Sequence, residues 1–233
     1  MLTTYDEYHD FFERARILSA DNDFGNQYLK TIRLYPDANW KDAFSRGQLR
    51  SKQWLIDSLK QTHGNTNLGT IYVCAGWYGT LAHLLFTNNF ILDKIRSFDI
   101  DESCWKIAET LNKNYVMQDW KFKASTVDIH NIEYPGKYNT LKNDGSQCEL
   151  FEDPNTIINT SCEHIPNFKQ WYNKIPDGKL LVLQSNNYYE IDDHINCYET
   201  VDSFLKDCPM SNLDFSGTLD CGEYSRFMII GTK

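Results

Sequence analysis

Thr70-Ile71-Tyr72-Val73-Cys74-Ala75-Gly76-Trp77-Tyr78-Gly79-Thr80 is the stretch from which the fold can be read. Its first five residues are β-branched, aromatic or small and apolar, as a buried strand requires, and two glycines then break the run. A helix-like pattern follows over residues 80–90. Strand, glycine turn and helix in that order let backbone approach a ligand at the strand's end. The turn is followed by no Gly-Lys-Ser/Thr and is not GxGxxG, so neither a P-loop nor a dinucleotide fingerprint is present.

The alternation continues downstream. Lys94-Ile95-Arg96-Ser97-Phe98-Asp99-Ile100 is predicted as a second strand, and Asp101-Glu102-Ser103 opens a helix carrying Trp105, Ile107, Ala108 and Leu111. Trp120-Lys121-Phe122-Lys123-Ala124, Asn155-Thr156-Ile157-Ile158-Asn159 and Lys179-Leu180-Leu181-Val182-Leu183-Gln184 are three further strands, with helices predicted over 168–174 and 201–206. Residues 214–219 and 226–231 form a closing hairpin. Such alternation predicts an α/β fold: a Rossmann-like, doubly wound, mostly parallel sheet of about seven strands ending in an antiparallel hairpin. Residues 134–153 are polar and show no period, and are expected to be a surface insertion.

Upstream, helices are expected over 5–18, with Tyr8, Phe11, Phe12, Ala15 and Leu18 on one face, and over 49–60, with Trp54, Leu55, Ile56 and Leu59. The break at His63-Gly64-Asn65-Thr66-Asn67 divides the chain into an N-terminal helical lid or flank, 1–67, and an α/β domain, 68–233.

Composition bounds the function. A chain of 233 residues has the size of one domain, or of one with an appendage. With 41% hydrophobic and 14% aromatic residues it can build a core, which excludes disorder as its overall state. No apolar run approaches the roughly 18–20 residues of a membrane span. Met1-Leu2-Thr3-Thr4-Tyr5-Asp6-Glu7 lacks the basic flank and apolar stretch of a signal peptide, so a cytoplasmic protein without membrane contact is expected. Seven cysteines without CxxC spacing read as free thiols. His9, His63, His83, His130 and His194 show no ligand spacing with acids or cysteines, and no metal is expected.

The net charge is −9 and unevenly placed. Residues 30–60 hold seven basic groups against three acidic, whereas the last 48 residues hold nine acidic against three basic. A long nucleic acid calls for a broader basic field, so this distribution argues against one.

Polar residues gather where four strands end: the Gly76–Gly79 turn, Asp99, Asp128 in Ser125-Thr126-Val127-Asp128-Ile129, and Asn159-Thr160-Ser161-Cys162-Glu163-His164. That rim is where open α/β sheets bind ligands. The order of these segments resembles the class I S-adenosylmethionine-dependent methyltransferases over residues 68–233. The resemblance implies S-adenosylmethionine as cofactor, with Cys74, Gly76, Tyr78 and Gly79 around its methionine portion. Asp99 and Ile100 would lie at the ribose, Asp128 and Ile129 at the adenine, and Asn159 and Ser161 beside the methyl. Cys74 stands where the family commonly carries an acid. The last segment lacks an Asn-Pro-Pro-Tyr signature, so base N-methylation is not implied.

His164 and Glu163 are the candidate acid–base pair nearest the methyl, although both also suit a helix opening. Trp77, Gln48, Arg50, Ser51, Lys52 and Tyr188 are candidate substrate contacts, Trp77 through cation–π attraction and the 48–52 group toward an anionic moiety. The expected activity is in-line methyl transfer to a small-molecule acceptor. The alternatives are transfer to a protein or RNA end through residues 30–60, and a degenerate cofactor-binding module.

Overall fold

Every residue of the strand Thr70–Cys74 (β1) is buried, the mark of a central parallel strand covered on both faces. The computed structural model describes residues 7–8, 22–142 and 144–233. The helix expected over 5–18 lies outside the described residues apart from Glu7 and Tyr8. The helices before the sheet are α1 (Asn22–Leu34), α2 (Trp40–Ala43) and α3 (Arg46–His63). After β1 come α4 (Thr80–Thr87), β2 (Lys94–Asp99), α5 (Cys104–Leu111), α6 (Lys113–Val116) and β3 (Phe122–Thr126). A hairpin of β4 (Gly136–Leu141) and β5 (Gln147–Glu152) precedes β6 (Thr156–Asn159), α7 (Phe168–Lys174), β7 (Leu180–Asn186) and α8 (Val201–Asp207). The chain closes with β8 (Asn212–Asp220) and β9 (Ser225–Thr232).

Seven of the described strands form one sheet in the order β3-β2-β1-β6-β7-β9-β8. β1, β2, β3, β6 and β7 are parallel, and β9 runs antiparallel to both β7 and β8. This is the Rossmann-like arrangement with a closing hairpin that the sequence predicts. The period of two splits each strand between two cores. Ile71 and Val73 of β1 join Met228 and Ile230 of β9 on the face covered by α3 and α4. Tyr72, Cys74, Phe227 and Ile229 point to the other face, where Trp171 and Phe204 pack.

Leu55, Ile56 and Leu59 of α3 are fully buried in the same cluster as β1, so the sequence division at residue 67 cuts through a continuous core. A third cluster joins Tyr28, Leu29 and Ile32 of α1 and Trp40 of α2 to Ile107 and Leu111 of α5.

Residues 134–153 differ from the aperiodic insertion expected. They form the β4–β5 hairpin, whose buried residues Tyr138 and Thr140 alternate with exposed Lys137 and Asn139. Glu152 accepts from Arg96 Nε and Nη2 of β2, both at 2.8 Å, and from Tyr138 Oη at 2.8 Å. Tyr138 also packs edge-on against Phe98 at 4.9 Å between ring centroids. The hairpin is therefore fastened to the sheet rather than extended into solvent.

Candidate active site

The ends of β1, β2, β3 and β6 border a cavity of about 410 Å³, within the ~300–1,000 Å³ typical of small-molecule sites. The turn after β1 is built tightly. Gly76 N donates to Phe98 O at 2.9 Å, and a Cβ on Gly76 would stand 2.0 Å from Ser97 Oγ, so any larger residue must displace that hydroxyl. Ala75 and Trp77 both take positive φ, 53° and 48°, which concentrates backbone strain at the cavity wall.

Asp99 holds this turn. Its Oδ2 accepts from Trp77 N at 2.8 Å and its Oδ1 from Asp101 N at 3.1 Å. Burial raises its carboxyl above the ordinary aspartate value, against the lowering effect of those two amides. An ionised carboxylate has about four lone-pair sites, so these two amides do not exhaust its capacity to accept.

Gly76, Trp77, Asp99, Ile100, Asp128, Ile129, Ser161 and His164 all line the cavity. Gln48 and Lys52 join them from α3, whose first turn is fixed by Gln48 N donating to Ser45 Oγ at 3.3 Å. Lys52 Nζ donates to Gln48 Oε1 at 2.5 Å. Burial, helped by the Arg226 charge, pushes its pKa down to about 7.

The remaining expected site residues stand behind or away from that wall. Cys74 is fully buried, and burial pushes its thiol up to about 12, so it presents a neutral group under the turn. Tyr78 turns away, its hydroxyl accepting from Asn39 N at 3.1 Å and its ring 5.2 Å from Trp40. Gly79 takes φ 72° and allows close packing on Ala108, where a Cβ would meet that residue's own Cβ at 3.0 Å. Asn159 is buried, its Oδ1 accepting from Ser161 N at 2.9 Å. Arg50 is exposed, and Ser51 is buried with its hydroxyl on Gln184 Oε1 at 2.7 Å. Tyr188 stacks on Tyr224 with centroids 5.0 Å apart.

Glu163 is not at the cavity. It is fully buried, with Oε1 accepting from Arg226 Nη2 and from Asn186 Nδ2, each at 2.7 Å. Local sequence placed it beside His164, but successive residues in a 3₁₀ turn point in different directions, and Arg226 draws Glu163 inward.

The structure also groups side chains that sequence spacing leaves apart. Glu163, His164 and His194 each bring one ligand atom within 4.8 Å of the others. Sequence spacing missed the group because His194 lies 30 residues beyond His164 and is returned by the loop after β7. Asp42, His130, Thr160 and Asp193 are further cavity residues that the sequence did not single out. Asp42 and Asp193 come from segments far from any strand-end motif, whereas Thr160 and His130 lay one or two residues from positions already marked.

No protein-family model and no curated protein matches this sequence. Among solved structures, the small RNA methyltransferase HEN1 superposes with a TM-score of 0.58 at 18% identity, over 82% of this chain and 26% of that one. This chain thus spans about a quarter of that protein's length. The N-methyltransferase NodS from Bradyrhizobium japonicum WM9, in complex with S-adenosyl-L-homocysteine, gives 0.57 at 11% identity, over 89% and 98% of the two chains. Magnesium protoporphyrin IX methyltransferase (ChlM) from Synechocystis PCC 6803 with bound SAM gives 0.54 at 13% identity, over 100% and 98%. The fold is that of the class I methyltransferases. No helix among the described residues is long and apolar enough to cross a membrane.

Proposed function

We propose that this chain is an S-adenosylmethionine-dependent methyltransferase acting on a small molecule. The observation that carries the reading is Asp99. Two backbone amides orient its carboxylate in the cavity wall and leave it capacity to accept, an arrangement suited to a pair of vicinal ribose hydroxyls. The surroundings fit the rest of the cofactor. The Gly76 turn leaves bare backbone for the methionine portion, and Ile100, Val127 and Ile129 offer an apolar slot for the adenine with Asp128 at its edge.

S-adenosylmethionine supplies a methyl on a sulfonium, already a good electrophile. The chain's task is then to hold the acceptor in line and keep water out, which Thr160, Ser161, Ile165 and Trp77 are placed to do. Of the two expected acid–base residues, only His164 lines the cavity. Asp42, Asp99, Asp128 and Asp193 line it too, against Lys52 as the one lysine or arginine there among the described residues. That balance supports a neutral or cationic small acceptor over a polyanion.

Calorimetry with S-adenosylhomocysteine tests the reading. Binding is expected, with Asp99→Asn weaker by about 10- to 100-fold, the equivalent of ~1.5–3 kcal/mol for hydrogen bonds to a charged group. No binding to the unaltered chain, or equal binding by D99N, would overturn it.

A further inference from the structure

We infer that Glu163, His164 and His194 form a binding site for one divalent first-row transition ion beside the cavity. Three separate features of the cluster support this. The first is Glu163 Oε2, which has no hydrogen-bond partner although the side chain is fully buried. Its other oxygen is saturated by Arg226 and Asn186. A buried carboxylate oxygen without a donor is costly, and a cation within reach of it removes that cost.

The second is the orientation of the imidazoles. His164 Nδ1 lies 3.2 Å from Asp193 O and 3.3 Å from Asp193 Oδ2, and His194 Nδ1 lies 2.7 Å from Tyr188 O. Each ring thus has an oxygen acceptor for an Nδ1–H, which sets the tautomer with an unprotonated Nε2. This is how metal-binding histidines are held, one nitrogen on a carbonyl or carboxylate and the other on the ion. The rings stand 4.5 Å apart at 80°.

The third is that the loop is pinned, so the approach of His194 is built in. Ile195 N and Asn196 N both donate to Glu163 O, at 2.9 and 3.0 Å, and Ser185 Oγ donates to Asn196 O at 3.1 Å. Asn196 Nδ2 donates to Ile165 O. Glu163 and Ile165, on either side of His164, are therefore tied to the residues following His194.

Two imidazoles and one carboxylate favour borderline ions such as Mn²⁺, Co²⁺ or Zn²⁺ over Mg²⁺ or Ca²⁺, which prefer all-oxygen shells. Three protein ligands leave coordination positions open. His164 lines the cavity, so water from the cavity can complete the shell.

Cobalt titration of the full, tag-free chain tests the site, read by the visible d–d absorption of bound Co²⁺ and by calorimetry. One equivalent is expected to bind, with Zn²⁺ displacing it and Mg²⁺ failing to. His194→Ala and His164→Ala should each weaken binding at least tenfold, while His63→Ala, on α3, should not. Because Glu163→Gln risks the fold, the two half-exposed histidines carry the test. Absence of saturable binding, or unchanged binding in both histidine variants, would overturn the assignment. It does not depend on the methyltransferase reading, and S-adenosylhomocysteine titration of the same samples reports on that reading separately.

Discussion

Two buried arginine–glutamate pairs sit on this sheet, and they are finished differently. In Arg96–Glu152 both carboxylate oxygens are taken, by the fork of Arg96, by Tyr138 Oη and by Lys94 Nζ at 2.7 Å. In Arg226–Glu163 only Oε1 is engaged; Arg226 Nη1 donates to Ser51 Oγ at 3.0 Å and Thr160 O at 3.3 Å, and its Nε has no partner. The saturated pair is a staple that fastens the β4–β5 hairpin to β2. The unsaturated pair leaves one oxygen available beside two histidines. Satisfaction of hydrogen-bonding capacity, rather than burial or charge, separates the structural pair from the one poised to bind.

The comparison can be broken most directly by removing each cation. Arg96→Met and Arg226→Met are each expected to destabilise the fold by about 3–5 kcal/mol, the usual cost of stranding a buried charge. Denaturant melts with and without Co²⁺ then separate them. The ion should restore stability to R226M, whose Glu163 gains a positive partner, and not to R96M. Equal rescue of both, or of neither, would erase the distinction.

A smaller effect is expected from acid. Burial raises the Glu152 carboxyl, but Arg96, Lys94 and Tyr138 outweigh it and hold the group below its ordinary value of 4.5. A depressed carboxyl contributes stability that is present above its unfolded pKa and lost as pH falls through the folded one. Thermal melts of the native chain should therefore lose stability from about pH 4.5 downward. Glu152→Gln should start lower and lose less over that window.

A second pH effect, of opposite origin, concerns Lys52, on the Arg226 side. Its pKa falls from 10.5 unfolded to about 7 folded. Between those values the unfolded chain binds a proton that the folded chain has released, so this group makes stability rise with pH across the window. Lys52→Met should flatten the melting temperature between pH 7 and 10. An unchanged slope would show that Lys52 keeps its charge when folded.

Much of the cavity was legible because strand ends are local features. Gly76 follows a β-branched run, Asp99 ends the next strand, and Asp128 follows the third, so each could be placed from a few neighbouring residues. Glu163 was misplaced for the opposite reason. The segment Cys162-Glu163-His164 shows that an acid and a base are adjacent, but not that Arg226, 63 residues later, pulls one inward while the other lines the cavity. The β4–β5 hairpin held a signal that was passed over: Tyr138 and Thr140 alternate with Lys137 and Asn139 before Asp144-Gly145, a turn-forming pair. Its low hydrophobicity hid the period, because much of what it buries is a polar staple.

The chain's order of apolar runs and glycine breaks by itself determined a parallel sheet with its polar residues gathered at one rim. Backbone sterics and side-chain periodicity act over a few residues, so they are written in local sequence. Only the tertiary structure decided which of those polar residues meet. It drew α3 into the core, sealed Glu163 against Arg226, and brought His194 to His164, because burial and ion pairing act between residues that the sequence holds far apart.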